Sequence, residues 1–224
     1  MHIHTRYEVS NNAGQDICDI VNNEGFDFLL VGSGISMSDS PDDIAATRYR
    51  TSFYNRYFKR FKAPESWFYP GALLKDKTKM FIARSNCDVG VFINRNFVKA
   101  TNTLVVISSE EDLFLLDYTR TLLKATHGSV GIVAKMSTTT PGHDQILKEL
   151  WDFVSSIPQT QLLPDKDLTP GLFNSYNFML IGYNTWNDVS EHRKEALQKM
   201  PSTLILNKNC LLYTSDAADD SLRV

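Results

Sequence analysis

Long hydrophobic runs and paired cysteines are both missing from this sequence of 224 residues. No run approaches the roughly 20 apolar residues that a membrane-spanning helix needs, and the polar start of the chain does not resemble a signal peptide. The three cysteines lie far apart and form no CxxC pair, which argues against a disulfide framework or a metal site and predicts reduced thiols in a cytosolic compartment. The net charge of −3 provides no general attraction to nucleic acid.

Apolar strands alternate along the chain with segments of helical periodicity. The composition, 42% hydrophobic and 22% charged, is that of an ordinary globular protein. Strands alternating with helices predict an α/β fold with a parallel sheet, and a Pro-containing linker is predicted over 158–175. The predicted strands are 5–10, 28–31, 89–93, 103–107, 130–134, 178–183 and 202–206, and the predicted helices are 15–23, 77–86, a long helix capped by Ser109, 143–157 and 188–200.

A strand, a helix and a second strand over 178–206 repeat an earlier series in which the first strand occupies 28–31. We therefore predict two tandem modules, 1–98 and 99–208, the first of them interrupted by an insertion over 37–74. The first module lacks the opening β-α-β of the second. A sheet without that part would expose apolar surface, so the chain is expected to be a fragment.

Five stretches carry a family resemblance through their order and spacing: Asp27–Gly34, Lys79–Ile93, Ser108–Tyr118, Asn184–Trp186 and Met200–Leu206. They resemble the region that follows the membrane domain in bacterial cation:proton antiporters of the monovalent cation:proton antiporter-2 family. That region carries two universal-stress-protein-like modules in tandem. The resemblance covers roughly residues 5–208.

The resemblance implies a tandem, Rossmann-like α/β fold and a non-enzymatic role. The chain would be a cytoplasmic regulatory region that modulates monovalent cation/proton exchange by an upstream transmembrane antiporter domain, which it would contact at the cytoplasmic face of the membrane. A homodimer is left open. The alternative is a free-standing, nucleotide-binding universal stress protein.

The glycines that follow the strand at 28–31 suggest a ligand loop. Gly32, Ser33, Gly34 and Ser36 could offer backbone N–H groups to a phosphate at the start of a helix, or they could form a structural turn. Nucleotide-binding universal stress proteins use G-x2-G-x9-G-[ST] here, and this chain has no further glycine before Gly71. A turn is therefore preferred over ATP or AMP binding, and no cofactor is predicted. The Gly-Ser-Gly-Ile-Ser run also suggests a sirtuin-like enzyme, but the sequence lacks the Asn-Asp and His residues that such an enzyme needs.

The segment 44–62 combines aromatic residues at helical spacing with cations and contains no acid. Its aromatic face could pack on its own domain, or the segment could contact an anionic bilayer surface or the antiporter's own cytoplasmic face. A nucleic-acid partner is not predicted, because the net charge is wrong and no known module fits. The candidate contact residues are Arg48, Arg50, Phe53, Arg56, Tyr57, Lys59, Arg60 and Phe61.

Two remaining features carry no catalytic prediction. The acids Glu110, Glu111 and Asp112 are interpreted as helix N-terminal residues that the dipole favours, and the serines lack a GxSxG elbow. The tail 209–224 is set apart, because from Cys210 onward it resembles the conceptual translation of a sequencing adapter.

Overall fold

The computed structural model describes residues 12–32, 77–136, 142–164, 168–192 and 199–209. The predicted strand at 5–10, the insertion at 37–74 and the tail beyond Asn209 lie outside the described residues. The elements are α1 (Ala13–Glu24), β1 (Phe28–Gly32), α2 (Lys77–Arg84), β2 (Asp88–Ile93), β3 (Asn102–Ile107), a 3-10 turn (Glu110–Phe114), α3 (Leu115–Thr126), β4 (Ser129–Ala134), α4 (His143–Ser156), β5 (Thr160–Pro164), α5 (Pro170–Phe173), β6 (Phe178–Gly182), α6 (Tyr183–His192) and β7 (Ser202–Asn207).

The described strands form one seven-stranded sheet in the order β1-β2-β7-β6-β3-β4-β5. Every neighbouring pair is parallel except β2 and β7, which are antiparallel. This arrangement confirms the predicted α/β class with a mainly parallel, Rossmann-like sheet. The antiparallel pair was not predicted, because it joins strands that lie more than a hundred residues apart in the chain.

Continuous apolar runs account for the central strands. In β3, the residues from Thr103 to Ile107 are all buried, and β4 is buried from Val130 to Ala134. A parallel strand that is covered by helices on both faces reads as such a run instead of alternating with polar residues. The core of the protein therefore lies against β3, β4 and β6.

A local two-fold axis, which passes through the antiparallel contact of β2 with β7, relates the strand pair β1-β2 to the strand pair β6-β7. Phe28 pairs with Asp88 in β1 and β2, and Phe178 pairs with Ser202 in β6 and β7. If Phe28 is matched to Phe178, the partner strands match as well, and Val91 becomes equivalent to Ile205. These two equivalent residues pair with each other, as residues on the axis of an isologous contact do. The units β1-α2-β2 and β6-α6-β7 thus meet as two similar halves of one sheet.

Helices cover the two faces of the sheet unequally. On one face, α3 and α4 pack with Val105, Ile132 and Leu180, and we call this the α3 face. On the opposite face, α5 and α6 pack with the sheet, and α1 and α2 pack with Leu29 and Val31. Within the described ranges, no helix is both long and apolar enough to cross a bilayer.

Three local predictions differ from the structure. The helix predicted over 188–200 begins earlier, at Tyr183, because α6 starts directly after the strand end at Gly182. The segment 158–175, predicted as a linker, contains strand β5 and the short helix α5. The strand was missed because it is a short edge strand that ends in Pro164. The helix predicted from Ser109 begins as a 3-10 turn, and α3 starts at Leu115, which is consistent with the tight side-chain bonding of that first turn described below.

Candidate functional site

A crevice lies at the carboxyl ends of β3 and β6, where the direction of the chain reverses. The chain passes from β3 to β4 on one side and from β6 to β7 on the other. Such a switch point separates two strand ends, and open α/β sheets commonly bind ligands there. Here it is bordered by Ser108 after β3, by Gly182 at the end of β6 and by the first turn of α6.

The carboxylate of Asp112 fills this crevice. Asp112 is 2% exposed, and its Oδ2 accepts hydrogen bonds from four donors. Two donors are backbone N–H groups, of Ser108 at 2.8 Å and Ser109 at 3.3 Å. The others are hydroxyls, Thr185 Oγ1 at 2.6 Å and Ser108 Oγ at 3.2 Å, and these hydroxyls also contact each other. We call this group the Asp112 latch, because it joins the loop after β3 to α6.

Gly182 allows the latch to close. A Cβ at this position would overlap the Asp112 carboxylate, so only glycine lets the strand end approach so near. For the equivalent residue of the first half, Gly32, no described atom lies within 4 Å of the position that a Cβ would take. The two glycines therefore end equivalent strands but have different surroundings.

Two further side-chain bridges connect α6 to the same edge of the sheet. Asn184 Nδ2 donates to Glu111 Oε2 at 2.8 Å. Lys135, directly after β4, places its Nζ 3.1 Å from Asp188 Oδ2 in α6. Both bridges are exposed, so each contributes less than a buried contact would. With the latch, they hold α6 at three points along the crevice.

The donors of the latch are the kind that bind phosphate. Backbone N–H groups at the end of a strand and a hydroxyl at a helix start commonly surround a phosphate oxygen. In this chain they surround a carboxylate of the protein itself. The crevice of the second half is thus closed by Asp112 in this structure. Among the described residues, no group of three His, Cys, Asp or Glu side chains could hold a metal ion.

A second polar cluster joins the two halves. Asp88, at the start of β2, accepts a hydrogen bond from Tyr118 Oη at 2.8 Å and another from the N–H of Asn209 at 2.8 Å. Asn209 Nδ2 also donates to the carbonyl of Ser85 at 2.8 Å. Burial, followed by the bond to Asp88, raises the pKa of Tyr118 well above its usual range. This cluster ties α3 and the segment after β7 to β2 of the first half.

Most of the site residues predicted from the sequence lie outside the described residues. Gly32 is placed at the end of β1, whereas Ser33, Gly34 and Ser36 are not described. The eight contact residues between Arg48 and Phe61 are not described either, so both the loop and the membrane contact stay predictions.

The latch was missed as a site. The spacing of Ser109 and Asp112 indicated a capping pair, but nothing in that spacing points to Thr185. A usable signal lies in the polar residues near the ends of the two strands, Ser108 directly after β3 and Asn184-Thr185 two residues after Gly182. It becomes informative only once β3 and β6 are known to be neighbours.

The fold and crevice together define an α/β protein with a Rossmann-like sheet and a closed switch-point site. No protein-family model matches the chain, and no curated protein matches it either. Among solved structures, the chain is similar to a universal stress protein from Archaeoglobus fulgidus DSM 4304, with 12% sequence identity and a TM-score of 0.49. The match covers 88% of this chain and 66% of that structure, slightly less than two thirds of its length. The fold class stated above rests on strand order and pairing.

Proposed function

We propose that this chain is a non-catalytic regulatory region that modulates cation/proton exchange by an antiporter membrane domain upstream of it. The sequence resemblance motivates this proposal. It places the chain at the cytoplasmic face of the membrane, with the antiporter domain as its partner and the segment 44–62 as a candidate contact. Regulation of this kind needs an element that exists in two arrangements, each with different contacts to the partner.

The Asp112 latch is the observation that supports regulation over nucleotide binding. The backbone and hydroxyl donors at this switch point are already bound to a buried carboxylate, so a phosphate that used the same donors would have to displace it. The latch also provides a discrete switch, because opening it breaks four hydrogen bonds and frees the start of α6. The alternative, a nucleotide-binding universal stress protein, rests on the loop that starts at Gly32, where ATP or AMP binding is still a prediction.

Transport by the parent protein tests the proposal. Asp112→Asn would be introduced into the full-length antiporter, and cation/proton exchange would be measured in membrane vesicles as a function of pH and cation concentration. We expect the half-activation point to move while the amount of protein in the membrane stays unchanged. Asp117→Asn is the matched control, because Asp117 lies on α3 with its side chain 75% exposed.

Two outcomes would contradict the proposal. The first is that the Asp112→Asn antiporter transports cations and protons as the parent does, even though amide hydrogen exchange shows that the start of α6 has opened. The other is a reading frame that stops directly before Met1, since no membrane domain would then be attached. Calorimetry with ATP and AMP tests the alternative, which predicts heat of binding at millimolar nucleotide or below, whereas our proposal predicts none.

A further inference from the structure

The outer side of β1 carries apolar side chains that the described residues cover only in part, since the ring of Tyr118 in α3 lies 6.0 Å from the ring of Phe28. β1 is the terminal strand of the described sheet. Phe28 is 36% exposed and Leu30 is 57% exposed, and both point to the α3 face, opposite to Leu29 and Val31. Their side chains lean over Gly90 of β2, where the ring of Phe28 leaves no room for a Cβ. The result is an apolar surface beside a strand edge that no described strand pairs with.

The local two-fold axis shows what covers the equivalent surface in the second half. Phe178 and Leu180 of β6 are the equivalents of Phe28 and Leu30, and they are only 5% and 2% exposed. On its outer edge β6 pairs in parallel with β3. On the α3 face, helix α3 packs in the same cluster as Phe178 and Leu180. The strand–helix unit of β3 followed by α3 therefore closes the edge of β6, and α3 covers its face together with Phe92 and Phe97, whose rings contact Phe178.

We propose that the outer side of β1 is a docking surface for a parallel β-strand followed by an amphipathic helix, a unit supplied from outside this chain. The strand would satisfy the open backbone groups on the edge of β1, in the mode of β-strand addition. The helix would cover Phe28 and Leu30 with an apolar stripe like that of α3, where Leu115, Leu116, Thr119 and Leu123 are buried. This inference does not depend on the proposed function.

A second copy of the chain fits this surface less well. Its own β3 is already paired on both edges, with β4 and β6, so the described residues of a second copy offer no free unit of this pattern. Among the described strands, two copies could pair β1 with β1 or β1 with the other terminal strand, β5, and pairing β1 with β1 would leave the helix position empty. A long, open, apolar edge is also a liability that proteins normally cover.

The test uses the full chain with an added copy of residues 102–126 (β3, the turn and α3). This extension is fused to the N-terminus of the chain through a Gly/Ser linker. Hydrogen exchange of the β1 amides would be followed by mass spectrometry in the extended and unextended chains. We expect at least roughly tenfold slower exchange over Phe28–Gly32 in the extended chain. Leu30→Asp should abolish this protection. The matched control, Trp151→Asp, should leave it intact, because Trp151 is an apolar residue of α4 that is 53% exposed.

Three results would overturn the inference. The β1 amides could exchange at the same rate with and without the extension. They could also be protected already in a monomeric unextended chain, which would mean that other residues of the chain cover them. Finally, light scattering could show a dimer that Leu30→Asp dissociates, which would identify a second copy as the occupant.

Discussion

Removing the Asp112 carboxylate should cost more stability than any exposed substitution in the same region. In Asp112→Ala, the N–H groups of Ser108 and Ser109 and two hydroxyls lose a charged acceptor. Hydrogen bonds to charged groups contribute about 1.5–3 kcal/mol each, but these four share one oxygen and are not additive. The hydroxyls of Ser108 and Thr185 can pair with each other, so the two N–H groups carry most of the loss. We expect a decrease of about 3 kcal/mol in the free energy of unfolding.

Urea denaturation followed by tryptophan fluorescence measures this change. Thr185→Val removes one donor and should cost about 1 kcal/mol. If the latch is one unit, Thr185→Val should cost much less in the Asp112→Ala background, because its partner is already gone. Asp117→Ala is the control and should change stability by at most about 1 kcal/mol, since it breaks only the exposed pair with Arg120. A loss of less than about 0.5 kcal/mol for Asp112→Ala would refute the latch.

Three further predictions use the same denaturation assay. Gly182→Ala should cost about 1–3 kcal/mol by forcing a Cβ against the buried carboxylate, whereas its equivalent Gly32→Ala should be nearly neutral, and equal effects would contradict the difference in surroundings. Trp186 is fully buried, and its Nε1 has no hydrogen-bond partner among the residues that the structure describes. Trp186→Phe should therefore stay within about 1 kcal/mol of the parent, because removing the unpaired N–H offsets the lost volume. A loss above about 3 kcal/mol would indicate a partner for the indole. The pKa of Tyr118 is raised by burial and by its bond to a carboxylate, so stability should fall as the pH rises above the unfolded-state value of about 10. Tyr118→Phe should flatten that fall, measured in a Cys87→Ala background because burial also raises the pKa of that thiol, and an unchanged slope would contradict the assignment.

Local patterns predicted most of the individual elements. Strands β3, β4 and β6 were recognised from apolar runs, and α1 from its periodicity and from the glycine that follows it at Gly25. The capping relation between Ser109 and Asp112 was visible because it spans only three residues. The sequence also indicated the α/β class, since alternating strands and helices leave few other ways to bury their apolar faces.

The candidate site could not be predicted from local sequence patterns. Asp112 and Thr185 lie 73 residues apart, and each has an ordinary local explanation as a helix-start residue. Their meeting depends on β3 and β6 being neighbours, which follows from strand order and not from either segment. The same holds for Gly182, whose close approach to the carboxylate is invisible until the two strand ends lie side by side.

By itself, the sequence therefore determined the kinds of element, their approximate bounds and the fold class, because backbone preference and hydrophobic periodicity act over a few residues. The tertiary structure alone decided that β2 and β7 pair antiparallel, that a buried carboxylate closes the switch-point crevice, and that the described residues leave the outer side of β1 partly exposed. Each of these features depends on which distant segments share the core. That choice is made by packing and hydrogen bonding across the whole sheet, which no single stretch of sequence contains.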